Sequence, residues 1–185
     1  MKKIILIISI GLIFFINSYA QDSTSKRLCF GIYGGIKLSE DDIYIDSGPG
    51  PWFGVFIYLP TGLGWSLQLE YNFWKANDDS REPDEDLFVS EFPLLVGYKW
   101  DLDKYYIQTL VGPGIGSSGN TLFGGVRDYI VSFDAALKIG LIITKNSEGF
   151  IQVRKQYSGT PRFGGGGSAY NPWLIGLGIQ YRLSQ

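Results

Sequence analysis

The chain has no histidine and a single cysteine, Cys29. The first absence removes the commonest general base and the commonest metal-binding side chain. The second excludes an internal disulfide. Charge is also scarce, at 18% of residues against about 25% in ordinary soluble domains. A positive excess is missing too: the formal charge is −2, which gives no reason to expect nucleic-acid binding. Beyond the N-terminus no eighteen consecutive apolar residues occur, so a membrane helix there is excluded. The composition is too poor in Glu, Lys and Ala for a coiled coil. What is abundant is glycine, 25 of 185 residues, and aromatic side chains, at 16%. The glycines follow no period of three, which excludes a collagen-like chain. So many aromatics exclude a disordered one.

The N-terminus reads as a secretory signal. Lys2 and Lys3 form a basic start, Ile4 to Ile16 is apolar, and Asn17-Ser18-Tyr19-Ala20 puts small residues at −3 and −1 of a cut before Gln21. These thirteen residues, Ser9 and Gly11 among them, would span only about 20 Å as a helix, short of a bilayer core. Residues 1–20 are therefore expected to be cleaved after Ala20, leaving residues 21–185 as one domain. Without Lys2 and Lys3, 14 of the 16 basic residues remain against 18 acidic ones, a formal charge of −4. Cys29 follows Ser25-Lys26-Arg27-Leu28, which is not a lipoprotein context. It reads as a small strand side chain, with an intermolecular disulfide as the alternative.

The exported part alternates with period two. Leu28–Ser39, Gly64–Trp74, Leu87–Trp100, Asp128–Thr144 and the run from Trp173 to Leu183 each set an apolar face against a face of Gly, Ser, Gln and single charges. Period two over such lengths means strands. Pro51–Pro60, Lys104–Gly116 and Gly149–Ser158 are less regular and bring the total to eight. The connections alternate in length. Glu40–Gly50, Lys75–Asp86, Ser117–Arg127 and Gly159–Pro172 are long, while Thr61–Leu63, Asp101–Asp103 and Lys145–Glu148 are short. This layout predicts an all-β, eight-stranded, antiparallel up-and-down transmembrane barrel with a filled polar lumen, and with both termini at the tight-turn end.

A soluble calyx would share the alternation but turn its apolar face inward. Three features point the other way. The polar faces are too small and uncharged for a solvated surface. The strands are longer than the five or six residues usual in soluble sheets. Bulky aromatics stand near strand ends: Trp65 and Phe73 on one strand, Phe88 and Trp100 on the next, with Trp173 on the last. Eight residues on a tilted strand cover roughly 20 Å, near the height of a lipid-facing band between aromatic girdles. The expected location is the bacterial outer membrane, in contact with lipid bilayer and lipopolysaccharide.

Several segments resemble the PorT-like outer-membrane β-barrel domains. Phe30-Gly31-Ile32-Tyr33-Gly34-Gly35-Ile36 is similar to their first strand, and Ser66-Leu67-Gln68-Leu69-Glu70-Tyr71 to their third. Glu91-Phe92-Pro93-Leu94-Leu95-Val96-Gly97-Tyr98 resembles their Pro-containing fourth strand. Tyr106 to Gly114, with Gly112-Pro113-Gly114, resembles the fifth, and Gly176-Leu177-Gly178-Ile179-Gln180-Tyr181-Arg182 the closing strand. The resemblance implies an eight-stranded outer-membrane barrel, mostly without an assigned activity. The chain departs from the family at its end: Leu183-Ser184-Gln185 stands where an aromatic residue is common.

Chemistry-bearing residues are few. The inward set contains Lys37, Glu70, Glu91, Lys99, Asp134, Lys138, Arg154 and Arg182. In a lumen just wide enough for side chains, opposite charges are expected to pair as a structural plug. The alternatives are a narrow ion path or a carboxylate pair, Glu70 with Glu91. The acidic loop with Asp78, Asp79, Asp84 and Asp86 offers hard oxygen ligands suited to calcium, but its spacing fits no EF-hand. A solvated loop is the expected reading. Phe163-Gly164-Gly165-Gly166-Gly167-Ser168 lacks the residues of a phosphate loop. Loop aromatics Phe123, Phe163 and Tyr170 are candidate partner contacts. The expectation is a structural, adhesive or envelope-interaction protein, neither an enzyme nor a general porin, with no cofactor. An accessory role in secretion or assembly, with an envelope protein partner, and a ligand- or cation-binding barrel are the alternatives.

Overall fold

The computed structural model describes residues 28–38, 41–42, 45–46, 49–77, 86–121, 124–159 and 169–183. The leader, Asp78, Asp79, Asp84, Phe123 and Phe163 lie outside the described residues. Eight long strands follow one another: β1 Cys29–Leu38, β2 Gly50–Gly62, β3 Trp65–Asn77, β4 Asp86–Leu102, β5 Tyr105–Thr121, β6 Gly124–Ile142, β7 Ser147–Gly159 and β8 Trp173–Arg182. Each pairs antiparallel with its sequence neighbours, and β1 pairs with β8 from Cys29↔Arg182 to Leu38↔Trp173. The sheet therefore closes on itself, and no long strand is left as an edge. Two-residue pieces, Asp41–Asp42 with Ile45–Asp46 and Ala169–Tyr170 against β7, add minor pairings at the other end.

Two connections at the first end are tight. Leu63 and Gly64 turn the chain with φ of 52° and 83°, and Asp103 turns the next with φ of 60°. Residues 143–146 make the third, where the Thr144 hydroxyl accepts from the Asn146 and Ser147 amides. The ends of the barrel chain meet here as well: the Leu183 amide donates to Leu28 O at 3.0 Å and the Arg182 amide to Asn146 O at 2.7 Å.

One connection differs from the sequence expectation. Ser117–Arg127 is not a long loop. β5 runs on to Thr121 and β6 begins at Gly124, so only residues 122–123 join them. Small polar residues and glycine hide a hairpin there, because pairing does not require alternation once the strands leave the apolar belt. β6 pairs with β5 throughout, but with β7 only from Val131 onward. Among the described residues β6 therefore runs past the end of β7, while β3 reaches as far as β4, with Asn77 opposite Asp86.

The apolar faces point outward. Ile32, Ile36, Ile115, Val131, Ile139, Ile151 and Leu177 are all more than half exposed. The inward faces fill the lumen, where aromatic rings stand beside the polar groups. Trp52, Phe56, Tyr58, Trp74, Tyr106, Phe150 and Tyr33 are buried beside the charges. That is why Pro51–Pro60 alternates poorly: β2 is bulky on both faces. The rings fit because glycines face them. Gly54 pairs directly with Tyr33, and a Cβ on Gly54 would run into the Tyr33 ring. Gly31 meets Phe56 in the same way, and Gly178 meets Phe150.

Candidate functional site

The lumen holds two polar clusters separated by aromatic rings. The central cluster draws on four strands. Glu70 projects from β3, Glu91 from β4, Asp134 and Lys138 from β6, and Arg154 from β7; all are buried. Arg154 donates to Glu70 and lies 3.7 Å from Asp134. Glu70 also accepts from Gln68 and, at 2.8 Å, from the Tyr33 hydroxyl. The Ser132 hydroxyl stands between the remaining two acids, donating to Glu91 and lying 3.3 Å from Asp134. Gln152, with its amide oxygen turned toward Arg154, accepts at 3.2 Å.

Lys138 is held differently. Its ammonium donates to Gln68 Oε1 at 3.0 Å. It sits 4.0 Å from the Phe56 ring centre and 4.7 Å from that of Phe150. A desolvated ammonium between two ring faces gains cation–π attraction where water is excluded. Arg154 similarly lies over Trp52, at 5.6 Å. Lys37 is buried near the opposite end from the tight turns, 5.4 Å from the Trp74 ring centre.

The second cluster lies at the tight-turn end and centres on Glu148. Lys99 donates to both its oxygens, at 3.1 and 2.9 Å. Arg182 donates at 2.8 Å and Gln180 at 2.6 Å. Lys99 also reaches the exposed Asp101, at 3.4 Å. Glu148 is absent from the sequence-derived set because Lys145–Glu148 reads as a turn. The strand begins earlier, at Ser147. The signal was present: Glu148, Phe150, Gln152, Arg154, Gln156 and Ser158 share one parity and one buried face.

The eight sequence-derived charges thus fall into three places rather than one network. Glu70, Glu91, Asp134, Lys138 and Arg154 meet centrally. Lys99 and Arg182 meet on Glu148, and Lys37 lies beside Trp74. Glu70 and Glu91 take different partners and are both sealed from solvent. Among the described residues no three Cys, Asp or Glu side chains converge as metal ligands. Asp86 opens β4, opposite Asn77.

The outer surface has aromatic rows near both ends. At the tight-turn end Trp65 packs on Tyr98 with ring centres 5.2 Å apart, Tyr98 on Trp100 at 4.7 Å, and Phe30 on Tyr181 at 5.8 Å. At the far end Phe73 stacks on Phe88 at 5.6 Å. Trp173 lies there too, 5.1 Å from the Lys155 ammonium, which reaches the carbonyl of Asn171. Lys155 points outward by parity yet is only 8% exposed; its stem lies along the rings while its charge reaches the polar end.

No family model matches the chain, and no curated protein matches it. Solved structures do. Neisserial surface protein A aligns with a TM-score of 0.65 at 10% identity, over 84% of this chain and 96% of that one. OprG, an outer membrane protein of Pseudomonas aeruginosa, aligns with a TM-score of 0.57 at 12% identity, over 86% and 98%. The attachment invasion locus protein Ail of Yersinia pestis aligns with a TM-score of 0.54 at 15% identity, over 85% and 99%. At these identities the likeness is one of fold, and the fold is that of small eight-stranded outer-membrane β-barrels.

Proposed function

We propose that the protein is an integral outer-membrane barrel with a structural, adhesive or envelope-interaction role, and neither a general porin nor an enzyme. One observation carries this reading. A closed eight-stranded wall turns a continuous apolar belt outward, bounded by aromatic rows, around a lumen filled by Trp52, Trp74, Lys37, Lys138 and Arg154. Exposed apolar surface of that extent is stable only in hydrocarbon or against a partner. The filled lumen speaks against a sugar-sized channel, and the absence of histidine against Ser/His or Asp/His catalysis. The name of the attachment invasion locus protein lends support to the adhesive form of the role.

Carbonate washing of envelope membranes tests the membrane assignment. The barrel is expected to stay in the membrane fraction; release into the wash would make it a soluble calyx. The PorT-like resemblance supports a second, narrower reading as an accessory component of secretion or assembly. That reading predicts a stoichiometric envelope protein on mild detergent extraction, and purification of the barrel alone would remove it.

A further inference from the structure

The apolar belt is not smooth. Across β3, β4 and β5 near the tight turns it is cut by a groove of about 510 Å³, lined by Trp65, Val96, Tyr98, Trp100, Thr109 and Val111. Its origin lies in the register. Trp65 stands opposite Tyr98, and Tyr98 opposite Thr109. Two large rings are followed across the sheet by a short hydroxyl side chain, so the surface drops at Thr109. Ile107, the outward residue on the turn side of Thr109 along β5, is larger. The rings stand edge to face, at 80° for Trp65 and Tyr98 and 61° for Tyr98 and Trp100, so they form a wall rather than a lid.

We infer that this groove seats one zwitterionic phospholipid of the leaflet at the tight-turn end, with an acyl chain laid over Thr109 and the neighbouring Val96–Val111 pair. The inference rests on the membrane reading above, which makes hydrocarbon the medium over this face. The volume is in the range of small-molecule sites, about 300–1,000 Å³. A flexible acyl chain follows the relief of an open groove, whereas another barrel brings a rigid convex wall. Charge agrees. The strand leaves the groove through Trp100 into Asp101, Leu102, Asp103 and Lys104, a tight turn whose two carboxylates and one ammonium are exposed. A headgroup with one ammonium and one phosphate finds both complements there. Indole and phenol tips beside it suit the ester level of a lipid interface.

Native mass spectrometry with palmitoyl-oleoyl phosphatidylethanolamine added to the detergent-solubilised barrel tests this. Thr109→Phe fills the groove floor from the outer face. Ile115→Phe, on the same face but outside the groove, is the control. Each protein is also inserted into vesicles and tested for protease protection, which reports on the membrane reading separately. The expected result is one retained lipid on the wild type and on Ile115→Phe, with half-occupancy of Thr109→Phe needing roughly tenfold more lipid. Equal retention by Thr109→Phe, no retention by the wild type, or a wild-type dimer in place of the lipid complex would each overturn the seat. Protection of all three proteins alongside any of those outcomes would leave the membrane reading standing.

Discussion

Arg154 is the cation on which the central lumen depends. It contacts Glu70 and Asp134 directly, and Glu91 lies one hydroxyl away through Ser132. Removing one partner of a buried pair leaves an uncompensated charge, so Arg154→Met is expected to cost about 3–5 kcal/mol in urea unfolding from vesicles. The double change Glu70→Gln with Arg154→Met should recover part of that loss. A single variant as stable as wild type would show that the cluster is held by something other than this pair. The lumen glycines make a matching steric argument. Gly54→Val drives a side chain into the Tyr33 ring and should cost about 1–3 kcal/mol. Adding Tyr33→Ala should relieve the clash, so the combined loss should fall short of the sum of the two single losses.

Tight turns and strand limits are settled by backbone geometry more than by side-chain pattern. Leu63 holds a left-handed conformation with φ of 52° and is almost fully exposed. Such a conformation costs a branched residue about 1–2 kcal/mol, and no burial offsets it. Leu63→Gly should therefore raise stability by about 1 kcal/mol, read as a shift in the urea midpoint; a drop would mean that the unfolded chain's added freedom outweighs the strain. All eight strands were legible in the sequence because their outward faces must be apolar along the whole belt. Their ends were less legible. Glu148 looked like part of a turn because Asn146, Ser147 and Glu148 are polar together, although Glu148 faces inward and is buried. Ser117–Arg127 looked like a loop because period two fades where a strand leaves the belt. The aromatic half of the lumen was hidden for a third reason: a ring reads as apolar whichever way it points, and only its pairing with a glycine across the sheet tells the two faces apart.

The whole molecule is a closed wall with an apolar outer face and an inner face packed with side chains. The outer face was legible from alternation and aromatic placement; which charges meet inside was not, since contacts across a lumen depend on register summed over several strands. A lysine placed at mid-belt, Leu94→Lys, midway between Phe88 and Trp100 on β4, should cost about 2–4 kcal/mol in the same unfolding assay, whereas a soluble surface would accept it. Planar-bilayer recordings should show no sugar-sized conductance, and rapid sugar flux would mean that the packed lumen opens. A membrane barrel of this build turns its outward residues to hydrocarbon. That placement is tested most directly by nitroxide labels at Ile32, Ile139, Ile151 and Leu177, placed one at a time in a Cys29→Ser background in vesicles. Their accessibility to oxygen and to a water-soluble nickel complex is then compared. High oxygen and low nickel accessibility are expected at all four positions. Nickel access at these positions would contradict that placement and turn the barrel into a water-exposed one.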